Sequence, residues 1–193
     1  YKEQGHIEII AQAFRDNNYT VVRFDTTNTY GESEGNFEDA TTTNYYADLE
    51  DVIGWAVLQK WYREPFVLAG HSLGAFCIAL YAEKYPNKVK ALAPLGTVVS
   101  GKLSLDIMPK EEIEKWKKDG IKEWEGFGGK IKRLKWSELE DRLKYDLMPN
   151  VKKLKMPVLM IVGENDDSCP YDHQKILFDA LPAKKKELHL IKG

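Results

Sequence analysis

Residues 70–74 read Gly-His-Ser-Leu-Gly and place a serine where it can act as a nucleophile. An apolar run at residues 65–69 predicts a short buried strand before the motif, and small and apolar residues at 75–82 predict a helix after it. A strand, a tight turn that carries a serine, and a helix are typical of a nucleophile elbow. The strained turn requires small neighbours, which Gly70 and Gly74 supply. It holds the serine hydroxyl at a helix N-terminus, where developing negative charge is stabilised.

A second Gly-x-Ser-x-Gly sequence occupies residues 31–35, but its surroundings differ. A polar stretch precedes it, and no apolar helix follows it. Its two glutamates would disfavour an alkoxide on Ser33. We therefore interpret this motif as a turn-rich loop and Ser72 as the candidate nucleophile. The alternative for Ser72 is an ordinary glycine-rich turn between a strand and a helix.

A serine nucleophile needs a base to accept its proton and a carboxylate to orient that base. The loop at residues 163–170 is rich in acidic residues and follows the most apolar segment of the chain, residues 157–163. Because the carboxyl ends of parallel strands meet at one edge of a sheet, an acid in this loop lies at the same edge as the elbow. Asp166 is the candidate acid and Asp167 the fallback. The alternative is simple turn chemistry, which Asn, Asp and Ser favour.

The elements around these loops alternate between strands and helices. Apolar residues at helical spacing predict helices at residues 7–17, 45–62, 75–82 and 171–181. Apolar runs predict strands at residues 20–25, 65–69, 89–96, 157–163 and 187–191. This order predicts an α/β fold with a mostly parallel sheet and helices on both faces. The nearly continuous apolar character of residues 157–163 indicates a central strand that is covered on both faces.

Residues 100–150 interrupt this alternation and are rich in charged residues. We predict helices from residue 109 and over residues 136–147, with Gly126, Gly128 and Gly129 between them. Long insertions in compact domains are usually functional, so we interpret the segment as a small helical cap over the sheet. The alternative is a pair of surface helices with a small core of their own. The predicted organisation is a core, first part, at 1–99, a cap at 100–150 and a core, second part, at 151–193.

Composition indicates a globular domain. The 193 residues are 43% hydrophobic and 30% charged, and the formal net charge of −2 gives no reason to expect nucleic acid or an anionic membrane as partner. No apolar stretch is long enough for a membrane-spanning helix. Two cysteines, Cys77 and Cys169, form neither a disulfide framework nor a metal site, which favours a reducing compartment such as the cytoplasm.

Taken together, these motifs resemble the α/β-hydrolase superfamily, and within it the small-capped serine esterases that are similar to feruloyl esterases and monoacylglycerol lipases. The resemblance runs nearly from end to end of the chain. It implies that Ser72 is the nucleophile, that Asp166 is the triad acid, and that the backbone N–H of Leu73 is one oxyanion donor. The motifs that carry it are Phe24-Asp25 leading to residues 31–35, residues 70–74, Tyr81-Ala82 followed by Tyr85-Pro86, and Gly163 with Asp166 and Pro170.

Two parts that the resemblance implies do not occur at their expected places. The triad histidine of the superfamily follows the last strand, where this sequence reads Leu-Ile-Lys-Gly and ends at Gly193. The second oxyanion donor comes from a loop before the first helix, where this sequence opens on Tyr1. The strand before that loop normally lies between the strands at residues 20–25 and 65–69. We therefore expect these 193 residues to be a piece of a longer chain, trimmed at both ends.

The four histidines of the sequence are poor substitutes for the triad histidine. His189 is the fallback, although it lies within the last predicted strand. His173 is too close in sequence to Asp166 to reach Ser72 easily. The elbow points His71 away from the serine, and His6 is expected at the surface.

The function predicted from the sequence is cleavage of a carboxylic ester through an acyl-enzyme on Ser72, with no metal or cofactor. Tryptophans at 116, 124 and 136 favour a hydrophobic or aromatic acyl group on a small-molecule substrate. Thioesters and amides are open to the same chemistry. Two other functions remain open: a non-catalytic binding protein of the same fold, and an acyltransferase that excludes water.

Overall fold

The structure is a computed structural model that describes residues 1–126, 129 and 131–192. Gly128, one of the predicted helix-breaking glycines, and Gly193 lie outside these residues. The helices are α1 (Gly5–Asp16), α2 (Thr42–Val57), α3 (Leu73–Lys84), α4 (Gly101–Asp106), α5 (Lys110–Asp119), α6 (Trp136–Arg142) and α7 (Tyr171–Ala180). The strands are β1 (Phe66–His71), β2 (Val89–Leu95), β3 (Ile121–Glu125), β4 (Ile131–Lys135), β5 (Val158–Gly163) and β6 (Lys186–Ile191). Short 3₁₀ turns occur at Phe37–Asp39, Pro86–Lys88 and Met148–Lys153.

Four of the strands form a parallel sheet in the order β1-β2-β5-β6. One row of the sheet runs through His71, Leu95, Ile161 and His189. Helices connect the strands and pack on the sheet, α3 on β1 and β2 and α7 on β5 and β6. The predicted fold class, a mostly parallel α/β sheet flanked by helices, is therefore confirmed. The loops after β1, β2 and β5 leave the sheet at the same edge.

Helix α3 is the centre of the main core. Its small and apolar residues bury nearly its whole length between α2 and the strands β1 and β2, and Phe76 is fully buried. Burial of each large apolar side chain contributes about 1.5–3 kcal/mol, so this helix is held firmly against the sheet. Within the described residues, no helix is both long enough and apolar enough to cross a bilayer.

Three predicted elements differ from the structure. Residues 20–25 form no strand, because no neighbouring strand of the described residues supplies their hydrogen-bond partners. Helix α2 begins at Thr42, where the Thr41 hydroxyl accepts a hydrogen bond from the Asn44 N–H at 3.1 Å, and it ends five residues before the predicted end. Trp61, within the predicted helix, lies beyond its observed end and is exposed. The third element, β5, alternates between buried and less buried residues, so it is not covered on both faces as predicted.

Residues 100–150 were predicted to be helical, but the structure contains two strands there as well. Strands β3 and β4 form an antiparallel hairpin between α5 and α6, and Glu123 pairs with Arg133 across it at 2.8 Å. The alternation of apolar and charged residues on both sides of a glycine-rich sequence is a signal for such a hairpin. Helix α6 is also shorter than predicted and ends at Arg142.

A buried carboxyl at the end of α3 makes stability depend on pH. Glu83 is 5% exposed, and its Oε1 atom has no hydrogen-bond partner among the described residues. Burial raises the pKa of Glu83 to about 8, against the opposing charge of Lys153. Above about pH 4.5 the unfolded chain releases this proton, whereas the folded chain keeps it until about pH 8. The free energy of unfolding therefore falls as pH rises through this window.

We expect Glu83→Gln to remove this pH dependence. In the wild type the contribution of Glu83 approaches about 1.4 kcal/mol per pH unit between its unfolded and folded pKa values. The neutral amide has no proton to lose, so the variant should be the more stable protein at pH 8. Urea unfolding between pH 5.5 and 8.5 measures the slope. Glu140→Gln, which changes an exposed carboxyl, should keep the wild-type slope, and equal slopes in all three proteins would contradict the prediction.

Candidate active site

Ser72 forms the turn between β1 and α3 with a strained backbone. Its φ of 54° and ψ of −122° are unusual for a residue with a side chain. The Ser72 N–H donates to the Leu95 carbonyl at 2.9 Å, and the Phe76 N–H donates to the Ser72 carbonyl at 3.1 Å. These bonds tie the turn both to the neighbouring strand and to the first turn of the helix. The structure therefore has the local geometry of a nucleophile elbow at the serine that the sequence singled out.

The two glycines that flank the elbow have different roles. A Cβ atom at Gly70 would lie 2.8 Å from the backbone carbon and oxygen of Gly74, so only glycine allows this close approach. At Gly74 itself, a Cβ atom would meet no described atom within 4 Å. The expected need for a small residue therefore holds for Gly70 and not for Gly74 in this structure.

Leu73 is the first residue of α3, and its backbone N–H belongs to the first turn, where helical N–H groups lack partners within the helix. Such a group can donate to an oxyanion that forms near the serine. Ser33, the serine of the second motif, differs: its hydroxyl donates to the Asp25 carbonyl at 2.7 Å within a loop. The structure places that motif in a turn, as the sequence predicted.

Asp166 lies in the loop after β5, and only one of its carboxylate oxygens accepts backbone hydrogen bonds within the described residues. Its Oδ1 atom accepts the N–H groups of Ser168 at 3.1 Å and Cys169 at 2.8 Å. Its Oδ2 atom points toward Gly96, the residue after β2, where a Cβ atom would lie only 3.0 Å away. Gly96 also has a positive φ of 47°, so both the backbone and the carboxylate require glycine. No motif in the sequence singled out Gly96.

His71 lies beside this carboxylate. The same Cβ position on Gly96 would be 3.7 Å from the His71 Nε2 atom, so the imidazole and the Asp166 carboxylate both approach Gly96. The His71 ring also meets His6 edge-on, with the ring centroids 4.5 Å apart. Desolvation of the ring and the neighbouring His6 lower the pKa of His71, and the charge of Asp166 opposes them. No motif in the sequence pointed to this group of three titratable residues.

The fallback histidine is far from the elbow. His189 and His71 lie in one row of the sheet, but three strand spacings separate them, about 14 Å. The His189 ring contacts Glu187 at 2.9 Å on the exposed edge strand. His173 lies in α7, where desolvation lowers its pKa. The structure therefore brings neither histidine to Ser72, and the position predicted for the triad histidine, after Gly193, is outside the described residues.

Cys169 contacts the elbow from the loop after β5. Its thiol is buried and shares a hydrogen bond with the Ser72 hydroxyl. Burial raises the pKa of the Cys169 thiol to about 12, with a further contribution from Asp166, so the thiol is neutral at physiological pH. Gln174, fully buried in α7, donates to the Cys169 carbonyl at 3.3 Å and to the Thr97 carbonyl at 2.8 Å. This glutamine connects the loops after β2 and β5.

A cavity of about 1390 Å³ opens beside the elbow. Ser72 and Leu73 line one side of it, and residues of the 100–150 segment line another, among them Trp116, Trp124 and Arg142. Trp136 meets the ring of Trp116 at a right angle, 5.5 Å between centroids. Trp116 and Trp124 thus take part both in a small core of this segment and in the wall of the cavity, whereas Trp136 belongs to the small core.

Helix α6 is fixed to α2 by one carboxylate. Asp141 accepts hydrogen bonds from the Thr43 N–H and the Thr43 hydroxyl, both at 2.7 Å. The same hydroxyl lies 2.6 Å from the Tyr145 hydroxyl. These contacts join the 100–150 segment to the main core and set the position of the cavity wall. Among the described residues, no group of three or more His, Cys, Asp or Glu side chains is arranged to hold a metal ion.

The family model described as "alpha/beta hydrolase fold" matches residues 5–135. The palmitoyl-protein thioesterase ABHD10 of Bos taurus, described as mitochondrial, is 28% identical over 160 residues, which cover 79% of this chain and 49% of that protein. The chain therefore spans about half the length of this curated relative.

Solved structures agree on the fold. Est1E from Butyrivibrio proteoclasticus, solved with ferulic acid bound, is similar with a TM-score of 0.81 and 22% identity over all of this chain and 75% of that one. A monoacylglycerol lipase from Paleococcus ferrophilus is similar with a TM-score of 0.64 and 19% identity, over 84% of this chain and 70% of that one. At these identities the likeness concerns the fold alone.

Proposed function

The chain belongs to the alpha/beta hydrolase fold family, and from that premise we propose that it is a serine hydrolase that cleaves carboxylic esters through an acyl-enzyme on Ser72. The observation that carries this proposal is the strained turn at Ser72, which sets the hydroxyl at the start of α3 beside the large cavity. Residues with strained backbone conformations cluster at active sites and ligand-binding sites. Membership in a family of hydrolases supports the same chemistry.

In the proposed reaction, the Ser72 oxygen attacks the ester carbonyl as a base removes its proton. The N–H of Leu73 donates to the oxyanion of the tetrahedral intermediate. Collapse of the intermediate expels the alcohol, and water then cleaves the acyl-enzyme by the same route. This chemistry needs neither a metal nor a cofactor.

Asp166 is the proposed orienting acid. Its Oδ1 atom is occupied by two backbone N–H groups, which leaves Oδ2 free to accept from the N–H of an imidazole. We propose that this imidazole belongs to a histidine that follows β6 in the whole protein. None of the four histidines in the described residues hydrogen-bonds Ser72.

We propose that residues 100–150 act as a cap and that residues 1–99 and 151–193 form the hydrolase core. The aromatic wall formed by Trp116 and Trp124 favours a hydrophobic or aromatic acyl group. The ferulic acid bound to the similar Est1E structure supports an aromatic acyl group by analogy.

A thioester is the second candidate substrate. The bovine relative is named as a palmitoyl-protein thioesterase, and the same serine chemistry cleaves thioesters. An acyltransferase of this fold differs only in the acceptor that attacks the acyl-enzyme. Because the bovine relative is described as mitochondrial, the cytoplasmic location predicted from the cysteines stays a prediction.

Covalent labelling tests the proposal. We expect the protein to take up one fluorophosphonate per chain, on Ser72, and to lose 4-nitrophenyl ester hydrolysis in proportion. Intact mass before and after the reaction counts the adducts, and peptide mapping locates the adduct. A protein that takes up no probe and cleaves no ester would instead be a non-catalytic binding protein of this fold.

A further inference from the structure

A buried ion pair lies in the wall of the cavity that the elbow also lines. Glu138 and Arg142, one turn apart on α6, form two parallel hydrogen bonds, Nε to Oε1 at 2.8 Å and Nη2 to Oε2 at 2.7 Å. The Glu138 side chain is 2% exposed and the Arg142 side chain 21%. Both residues line the cavity.

A buried ion pair of this kind contributes little to the stability of a helix. Exposed pairs at this spacing stabilise a helix by only about a few tenths of a kcal/mol. For a buried pair, the free energy needed to remove both charges from water exceeds their mutual attraction in many proteins. Apolar side chains of similar size would fill the same space without this cost. The pair therefore places a fixed positive group in the cavity wall at the expense of stability.

The orientation of the guanidinium leaves one edge for a ligand. Glu138 occupies the Nε and Nη2 side, and Nη1 has no acceptor within the described part of the chain. The bidentate contact prevents rotation of the guanidinium plane, so Nη1 presents its two N–H groups in a fixed direction. The contacts of Asp141 with Thr43 hold the backbone of α6 in place.

Arg142 and the serine line the same cavity. Its positive charge acts on the thiol of Cys169, and that thiol hydrogen-bonds the Ser72 hydroxyl. Among the other cations that line the cavity, Lys122 and Lys2 are paired with carboxylates, whereas Lys115 and Lys132 form no ion pair within the described residues. Arg142 is thus a charged donor, fixed by its bidentate pair, in the wall of the cavity that Ser72 also lines.

We propose that Arg142 is a specificity-determining residue that binds an anionic oxygen of the acyl group, so that the preferred substrate is an ester or thioester of a carboxylate-bearing acid. This inference rests on the proposed function and names its substrate class. The aromatic wall holds the carbon skeleton of such an acyl group, and the free Nη1 edge holds its carboxylate. Charge-assisted hydrogen bonds of this geometry are among the strong ones in proteins.

Two esters that differ only in this charge test the inference. The 4-nitrophenyl half-ester of glutaric acid carries a carboxylate where 4-nitrophenyl valerate carries a methyl group. We expect the full-length protein to have about a tenfold higher kcat/KM for the glutarate, as one charged hydrogen bond allows. Arg142→Met should remove this preference through KM, so that the ratio of the two kcat/KM values falls to about one.

Matched variants separate charge from folding. Arg142→Met leaves Glu138 buried without a partner, so the double variant Glu138→Leu/Arg142→Met, which removes both charges, must lose the preference as well. Lys144→Met removes the same charge two residues away on an exposed side chain and should keep the preference. Thermal unfolding shows which variants are folded.

The outcomes are distinct. Hydrolysis of both esters with no preference, or an equal loss for both in the double variant, would overturn the role of Arg142 and leave the esterase proposal standing. Failure to cleave either ester, with no fluorophosphonate adduct on Ser72, would overturn the proposed function and this inference with it.

Discussion

Ser72→Ala is expected to lower kcat for ester hydrolysis by about 10⁵-fold or more, because it removes the atom that forms the acyl-enzyme. The remaining rate of hydrolysis should be the one that substrate binding and the oxyanion donor support without the nucleophile. KM should change little, since the hydroxyl contributes little to ground-state binding. Initial rates with 4-nitrophenyl butyrate measure the loss. The fold should persist, because the backbone contacts of the elbow do not involve the side chain.

Ser33→Ala is the matched control, since Ser33 lies in the same five-residue pattern. Its hydroxyl donates to the Asp25 carbonyl, so its loss should cost about 1 kcal/mol of stability and leave kcat unchanged. A loss of activity in Ser33→Ala with activity retained in Ser72→Ala would refute the assignment of the nucleophile.

Asp166→Asn is expected to lower kcat by about 10⁴-fold while the fold is retained. The amide oxygen can still accept the N–H groups of Ser168 and Cys169, so the loop keeps its shape. The amide nitrogen, however, would replace the free Oδ2 atom that faces Gly96. A donor at that position favours the wrong tautomer of a partner imidazole and cannot stabilise its charged form. Steady-state kinetics and a thermal melt distinguish this effect from unfolding.

A variant of the neighbouring acid, Asp167, tests which of the two aspartates orients the base. Asp167→Asn removes the same charge from the next residue, and we expect kcat within about threefold of the wild type, because an exposed charge is well screened. If instead Asp167→Asn gave the larger loss, Asp167 would be the orienting acid and the role assigned to Asp166 would be wrong.

Much of the fold and of the candidate site follows from local patterns in the sequence. The elbow is a strand, a turn and a helix within about 20 residues, so the apolar runs around Ser72 are enough to predict it. Asp166 can be predicted as the candidate acid because it comes directly after an apolar strand, and the carboxyl ends of parallel strands meet at one edge of the sheet. The parallel sheet follows from alternating strands and helices.

Other features are decided by contacts between residues far apart in the chain. Residues 20–25 have the composition of a strand, but a strand exists only where a neighbour supplies hydrogen bonds. The approach of His71 and Asp166 to Gly96 depends on how three strands align at one edge.

The free edge of Arg142 likewise depends on long-range packing. A sequence shows that Glu138 and Arg142 can pair on a helix, but it does not show whether that helix faces solvent or a cavity. The contact of Asp141 with Thr43, 98 residues away, turns the pair toward the elbow. The sequence by itself therefore determined which residues have the chemistry for catalysis. Only the tertiary structure decided which charged groups surround them, because burial and direction are properties of the packed chain.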